Sequence, residues 1–232
     1  MPSNTKTNLE ETITIDRLIR SKRRTLALQI DAGGRLIVRA PLHLSRAEIE
    51  RFVQLRAGWV HKHQQRSRAE VRPDHAYQPG ERFLYLGVEY PLEIVAAQRP
   101  ALQLCDGVFQ LSHSAQARAA SLFTRWYRSQ AREVLSQRAW FHARRVDAQF
   151  EKITVSSART RWGSCSNRRT LSFTWRLVMA PQAAIDYVVV HELAHLQHHG
   201  HTRAFWQQVE AWLPNWKAQA AWLKQNGYRL SL

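Results

Sequence analysis

The sequence predicts an α+β fold: a β-hairpin-rich N-terminal part with one helix, followed by a mainly helical part that contains a short sheet. Three observations support this prediction. Short apolar runs separated by turn residues occupy residues 16–113. Residues 117–150 contain neither proline nor glycine and place apolar side chains at helical intervals. Residues 191–195 then read H-E-L-A-H, an H-E-x-x-H pattern in an apolar, helix-forming context.

The sequence changes character near residues 112–116, which divides the chain into three parts. We expect a flexible tail over residues 1–15, a β-rich subdomain over 16–113, and a helical subdomain with the histidine motif over 114–232. A chain of 232 residues that is 44% hydrophobic can bury one sizeable core or two small lobes.

The N-terminal part begins with a predicted hairpin, because apolar runs at Thr25–Ile30 and Leu36–Val38 flank a glycine-bearing turn. Ser45 and Glu48 then form a capping box ahead of apolar residues at helical spacing, which predicts one helix reaching about residue 63. Four further strands are predicted, at Phe83–Leu86, Tyr90–Val95, Leu102–Cys105 and Val108–Leu111.

The C-terminal part begins with residues 117–150, which predict one long helix or two with a break. Strands are predicted at Ile153–Ser156 and Leu171–Trp175, on either side of a turn. The second strand is either an edge that pairs with an extended peptide or an ordinary core strand. After the histidines, two short helices are predicted to end near Gly227.

The H-E-x-x-H pattern places His191 and His195 one turn apart on a helix face, close enough to share one metal ion. A chance match would instead be two surface histidines on an ordinary helix. The context favours the metal, because Pro181 can start the helix and a broad apolar stripe follows, formed by Ile185, Val188, Val189, Leu193 and Leu196. Glu192 is then placed to take a proton from a Zn²⁺-bound water.

A third ligand is needed to complete a catalytic zinc site, and His198 and His201 are the candidates. His198 continues the face of His191, but three ligands along one straight helix hold a single ion poorly. Gly200 can end the helix in a left-handed conformation and so return His201 toward the metal. The spacing H-E-x-x-H-x5-H therefore favours His201, with His198 as the alternative.

The formal charge of +16 would attract nucleic acid, nucleotides or another polyanion. The excess is +6 in residues 1–118 and +10 in the remainder, which contains the histidine motif. However, the 28 arginines and 6 lysines are scattered, and no helix-turn-helix, zinc-finger or RNA-binding signature accompanies them. Contact with nucleic acid through a basic surface is thus an expectation from charge alone.

Cellular location follows from what the sequence lacks. No run of eighteen apolar residues predicts a membrane span, and residues 1–24 have no apolar signal core. Cys105 and Cys165 are far apart and belong to no paired motif, which fits a reducing compartment. We expect a cytoplasmic protein with no membrane partner.

The C-terminal motifs resemble the YgjP-like family of metal-dependent hydrolases. The matching segments are residues 161–166 (R-W-G-S-C-S), 171–177 (L-S-F-T-W-R-L), 180–181 (A-P), 185–195, and 200–206 with its H-T-x-x-F-W pattern. Weaker matches occur before residue 113. Gly200 and Thr202 replace the family's usual asparagine and serine, and neither change removes a metal ligand.

That family is similar to the zincins and, more distantly, to the SprT-like and Wss-type proteases that act on proteins attached to DNA. The resemblance implies a zincin-like C-terminal subdomain with His191, His195 and His201 as Zn²⁺ ligands and Glu192 as general base. It also implies that residues 161–165 lie close to the site.

Three functions are compatible with these features. The leading hypothesis is a zinc-dependent metallopeptidase acting on a peptide or protein, in which an unidentified donor (candidates Arg161, Arg176 and Arg203) helps to hold the developing oxyanion. Trp162 and Cys165 are interpreted as fold-forming. The first alternative is a nucleotide or phosphoanhydride hydrolase using the same metal-bound water. The second is a basic nucleic-acid-binding protein with a structural zinc, against which Glu192 argues.

Overall fold

The computed structural model of the chain describes residues 13–31, 33–69 and 73–232. These residues form two compact units, with the division between Val71 and Arg72. The predicted α+β class is confirmed, because strands prevail in the N-terminal half of the described chain and helices in the C-terminal half. The predicted tail over residues 1–15 lies outside the described residues, apart from its last three.

The first unit pairs a three-stranded sheet with two helices. Its elements are β1 (Arg17–Ser21), β2 (Ala27–Ile30), β3 (Leu36–Pro41), α1 (Arg46–Gln54) and α2 (Ala57–Ala69). The sheet order is β1-β3-β2, with β2 antiparallel and β1 parallel to β3. The fully buried core residues of this unit are Leu36, Val38, Ala40, Ile49, Val53 and Val60.

The hairpin and the capping box predicted in this unit are confirmed. Ser45 accepts a hydrogen bond from the backbone of Glu48, whose carboxylate accepts one from the backbone of Ser45. The prediction of a single helix is wrong, because the chain leaves the helix at Leu55 and starts a second one at Ala57. Gly58, a poor helix former, lies in the first turn of that second helix.

The second unit contains two small sheets. The strands of the first are β4 (Arg82–Tyr85), β5 (Val88–Val95), β6 (Leu102–Cys105) and β7 (Val108–Ser112), in the order β4-β5-β7-β6. The strands of the second are β8 (Lys152–Ser156), β9 (Gly163–Cys165) and β10 (Thr170–Thr174), in the order β8-β10-β9. The strand predicted at Leu171–Trp175 is therefore the middle strand of its sheet. Strand β9, at residues where the sequence predicted a turn, is an edge strand.

Four helices complete the second unit: α3 (Ala119–Arg145), α4 (Gln182–Ala194), α5 (Arg203–Trp212) and α6 (Trp216–Asn226). Helix α3 is continuous, which decides between the one-helix and two-helix predictions. Strands β4 to β7 share one hydrophobic core with α3 and α4, as the buried side chains of Phe83, Phe109 and Phe123 illustrate. The division of the chain therefore falls earlier than the predicted boundary after residue 113.

Helix α4 is attached to α3 by a mostly buried ionic network. The Arg138 guanidinium donates two hydrogen bonds to the Asp186 carboxylate, at 2.6 and 2.8 Å. His142 Nε2, also on α3, lies 3.2 Å from the same carboxylate. Burial raises the pKa of Asp186, but the hydrogen bonds from His142 and Arg138 outweigh burial and hold this pKa below its usual value. The network fixes α4, which contains the histidine motif, against the long helix.

Among the residues that the structure describes, no helix combines the length and the apolar character needed to cross a membrane.

Candidate metal centre

The start of α4 is set by the tight turn between β4 and β5. The amides of Leu86 and Gly87 donate to the carbonyl oxygens of Val178 and Met179, just before the helix. Gly87 has a φ of +83°, and a β-carbon there would lie 2.8 Å from Pro181 Cγ. A glycine is needed at this position both for its conformation and for its close packing. The turn therefore fixes the N-terminal end of α4, the helix that contains the histidine motif.

Three histidine side chains converge at the other end of α4. His191, His195 and His201 each offer one ring nitrogen, and these three nitrogens lie within 4.8 Å of one another. The Nε2 atoms of His191 and His201 are 3.0 Å apart. Two imidazole nitrogens that share a tetrahedral ion at about 2.0 Å each lie about 3.3 Å apart. The spacing is therefore close to that of two ligands of one metal ion.

The chain returns His201 to this cluster by a different route from the one predicted. Helix α4 ends at Ala194, and the amides of Gln197 and His198 both bond to the Ala194 carbonyl as the chain turns. Gly200 does not adopt a left-handed conformation, so its predicted role as the helix stop is wrong. The helix ends six residues before Gly200, at the residue that precedes the second histidine of the motif.

His195 is oriented by the loop that follows it. Its Nδ1 lies 2.8 Å from the carbonyl oxygen of His198, so this nitrogen carries the proton and donates to the carbonyl. In the neutral ring this tautomer leaves the other nitrogen, Nε2, without a proton and able to bind a metal. His198, the alternative third ligand, is not in the cluster of converging nitrogens among the described residues. It contributes through its backbone instead.

His191 is held neutral by its surroundings. Burial, followed by the neighbouring His195 and His201, lowers the pKa of His191 to about 4. Its Nδ1 is buried and has no hydrogen-bond partner among the described residues. A neutral imidazole is the form that binds a metal, here through Nε2, the nitrogen that faces His201.

Aromatic rings support the third histidine, which lies on an exposed loop. The His201 ring stacks on Trp206 at 5.6 Å, and Trp206 in turn stacks on Trp216 at 4.5 Å. The ring of Phe205 meets the edges of both His191 and His201. The side-chain hydroxyl of Thr202 caps the helix α5 that presents these rings. The loop histidine is thus held by packing against α5.

Glu192 points away from solvent and toward strand β9. Its residue is only 5% exposed. Burial raises the pKa of its carboxyl to about 7, and the positive charge of Arg161 opposes part of this rise. A carboxyl group with a pKa near neutrality can both accept and release a proton at physiological pH.

Gly163 leaves the space that the Glu192 side chain occupies. A β-carbon at Gly163 would lie 2.7 Å from both Cγ and Oε1 of Glu192. Real β-carbons do not approach other heavy atoms this closely, so any larger residue must displace the carboxyl group. The segment at residues 161–165, which resembles the family motif, therefore lies directly against the glutamate.

We expect Gly163→Ala to lower hydrolytic kcat/KM by about 10- to 100-fold without loss of metal, because a misplacement of the order of 1 Å costs this much. The measurement compares steady-state kinetics and metal content of the variant with those of the wild type. Gly58→Ala is the matched control, since no atom lies within 4 Å of a β-carbon there. Full activity in Gly163→Ala would contradict a positioning role for this glycine.

The other predicted neighbours of the site have separate roles. Arg161 is exposed and close enough to influence Glu192. Arg176 lies over the Trp175 ring and donates to the carbonyl of Ser157, which indicates a packing role, and Arg203 begins α5. Trp162 packs against Gly227, and Cys165 is half-buried on β9, where burial and then the charge of Glu192 raise its pKa.

Sequence reasoning missed three features of this region. The resemblance implied that residues 161–165 lie near the site, but the residues themselves predicted only a turn at Gly163, because a glycine gives no sign of what packs against it. The orienting carbonyl of His198 has no side-chain signature. The stacking of Trp206 on His201 likewise has no signature in the local sequence.

A comparison with known proteins finds a family match over most of the chain. The sequence model of the YgjP-like metallopeptidase domain matches residues 24–226. The matched range extends over most of both compact units and includes the three clustered histidines, Glu192 and Gly163. No curated protein matches the chain.

Proposed function

Because the chain belongs to the YgjP-like metallopeptidase family, we propose that it is a zinc-dependent metallopeptidase. In this proposal His191, His195 and His201 hold the ion, and Glu192 is the general base. The observation that supports it most is the convergence of three imidazole nitrogens within 4.8 Å beside a buried carboxyl group. Family membership itself supports a metal-dependent hydrolase; the zinc ion, the glutamate base and the peptide substrate are the parts proposed.

The donor set fits Zn²⁺ better than it fits harder cations. Three neutral imidazoles and no carboxylate favour zinc or a similar transition metal over Mg²⁺ or Ca²⁺, which prefer oxygen ligands. The bond from His195 Nδ1 to the His198 carbonyl fixes which nitrogen faces the cluster. Three protein ligands also leave a fourth position open, as in catalytic rather than structural zinc sites.

Zinc at such a site lowers the pKa of bound water to about 7 and polarises a carbonyl oxygen. The protein supplies the proton transfers. The Glu192 carboxylate accepts a proton from the attacking water and passes it to the nitrogen of the leaving amine. Its pKa of about 7 suits both steps. Gly163 leaves the carboxyl group the room that this position requires.

Strand β9 offers a peptide an edge on which to lie. The Trp162 carbonyl and the Ser166 amide bond toward β10, at Thr174 and Thr170. In an antiparallel pair the intervening alternate residues, Gly163 and Cys165, direct their backbone N–H and C=O groups the other way. No described strand pairs with that side of β9. An extended peptide bound there would run past Glu192, which contacts Gly163.

The open edge is also the observation that favours a peptide over a nucleotide. A nucleotide hydrolase would be expected to surround the triphosphate with a closed, arginine-lined pocket. Here Arg161, whose positive charge interacts with Glu192, is exposed and lies two residues before β9 begins. We assign Arg161 to the substrate side of the site, where it can pair with a carboxylate or assist the developing oxyanion.

The experiment is digestion of a proteome-derived peptide mixture, read by mass spectrometry, with metal-stripped and zinc-reloaded protein. We expect new peptide termini with one equivalent of Zn²⁺ and a loss of activity of about 100-fold or more on stripping. Nucleoside triphosphates are assayed in parallel. Cleavage of the triphosphates alone would replace the peptidase proposal with the nucleotide alternative. Bound zinc without any hydrolysis would support the structural-zinc alternative.

A further inference from the structure

One face of helix α3 presents a row of arginines. Arg125, Arg128 and Arg132 follow one another at spacings of three and four residues, which places them on the same side of the helix. At 1.5 Å per residue the row is about 10 Å long. Together with Ala120, Ser121 and Thr124, these arginines line an open groove with a volume of about 510 Å³. We call this surface the arginine groove.

The positive charge of the arginine groove is not neutralised within the described part of the chain. No ion pair among the described residues involves Arg125, Arg128 or Arg132, whereas Arg138, further along the same helix, is paired with Asp186. The lining hydroxyls of Ser121 and Thr124 donate to backbone carbonyl oxygens of the helix itself. The groove therefore offers guanidinium donors without a competing acidic group.

Further arginines continue from the groove toward Glu192. Arg128 donates to the Ser157 hydroxyl at 2.8 Å, and Arg176 donates to the Ser157 carbonyl oxygen at 3.2 Å. The same loop then carries the exposed Arg161, whose positive charge interacts with the Glu192 carboxyl group. The arginine groove and the candidate metal centre are thus linked through a few positively charged residues of one unit.

We propose that the arginine groove binds the phosphodiester backbone of a nucleic acid without reading its base sequence. Each guanidinium group can donate two parallel hydrogen bonds to the oxygens of one phosphate. A row of arginines about 10 Å long spans more than one phosphate. No aromatic side chain lines the groove for base stacking, and no large apolar side chain lines it for membrane insertion. The net charge of +16 adds long-range attraction for a polyanion. This binding is independent of the proposed peptidase activity.

The test is the triple variant Arg125→Gln, Arg128→Gln, Arg132→Gln, in which binding of fluorescein-labelled single-stranded and duplex DNA is followed by anisotropy. At about 100 mM salt we expect Kd to rise at least about 10-fold. The slope of log K against log salt should shrink by about 2 to 3, because each lost phosphate contact removes close to one unit. The single-stranded and duplex probes show which form binds better.

A second triple variant, Arg24→Gln, Arg46→Gln, Arg51→Gln, removes the same charge from exposed positions of the first unit. It should keep most of the DNA affinity. An equal loss in this control would overturn the proposal in favour of nonspecific attraction by the whole chain.

A triple Arg→Lys variant of the groove should retain salt-dependent binding, which separates loss of charge from misfolding. The triple Arg→Gln variant of the groove is also tested on anionic phosphatidylserine vesicles. If this variant lost vesicle binding but bound DNA like the wild type, the nucleic-acid proposal would be overturned.

Discussion

Glu192→Gln is expected to lower kcat/KM for peptide hydrolysis by about 10³-fold while the protein remains folded and keeps its metal. Glutamine has nearly the shape of glutamate and can fill the space beside Gly163, but its amide does not accept a proton from water. General base catalysis contributes about 10²- to 10⁴-fold, so this single loss accounts for the expected effect. No ion pair among the described residues involves the buried Glu192 carboxyl, so its replacement leaves no partner charge unpaired there.

The measurement combines steady-state kinetics, metal content and thermal unfolding of the variant and the wild type. Glu210→Gln is the matched control, because Glu210 is an exposed carboxylate that pairs with Lys217 on the surface. We expect that control to retain wild-type kinetics. If Glu192→Gln kept more than about a tenth of the activity with its metal bound, another group would have to be the base.

The parts of the fold that depend on local patterns were predictable from the sequence. The capping box at Ser45, the glycine-bearing turn between β2 and β3 and the long run without proline or glycine each determine their own element. The H-E-x-x-H spacing likewise placed His191 and His195 on one side of a helix. Periodicity and turn chemistry act over a few residues, so they are readable without knowledge of the rest of the chain.

Features that depend on residues distant in sequence were not predictable from local patterns. Strand β1 forms only because it pairs in parallel with β3, and strand β9 only because it pairs with β10. The unit boundary falls after residue 71 because β4 to β7 pack against α3, although their strand pattern resembles that of the first unit. Pairing and packing partners of this kind leave no local signature.

The end of α4 shows the same limit within the candidate site. The glycine at position 200 suggested a helix stop, yet the helix ends at Ala194, and the loop is set by the bond between His195 and the His198 carbonyl. A backbone acceptor can be supplied by any residue type, so the sequence does not reveal it. His201 lies in the cluster, but the sequence favoured it through a helix-ending role of Gly200 that the structure does not show.

His201→Ala is expected to lower zinc affinity by about 10²-fold or more, because it removes one of the three proposed ligands. Loss of a group that only orients a ligand already costs about 10- to 100-fold. His198→Ala is the matched control. That variant keeps the backbone carbonyl that accepts from His195, and its side chain is outside the cluster among the described residues. We therefore expect His198→Ala to bind zinc with nearly wild-type affinity.

The most direct test of a three-histidine metal centre is the zinc content of wild type, His201→Ala and His198→Ala, measured by mass spectrometry after dialysis against a competing chelator. We predict one zinc per chain in wild type and His198→Ala, and a sharp loss in His201→Ala. Zinc retained by His201→Ala but lost from His198→Ala would assign the third ligand to His198. Folded wild-type protein that takes up no zinc, even when zinc is supplied, would contradict the account as a whole.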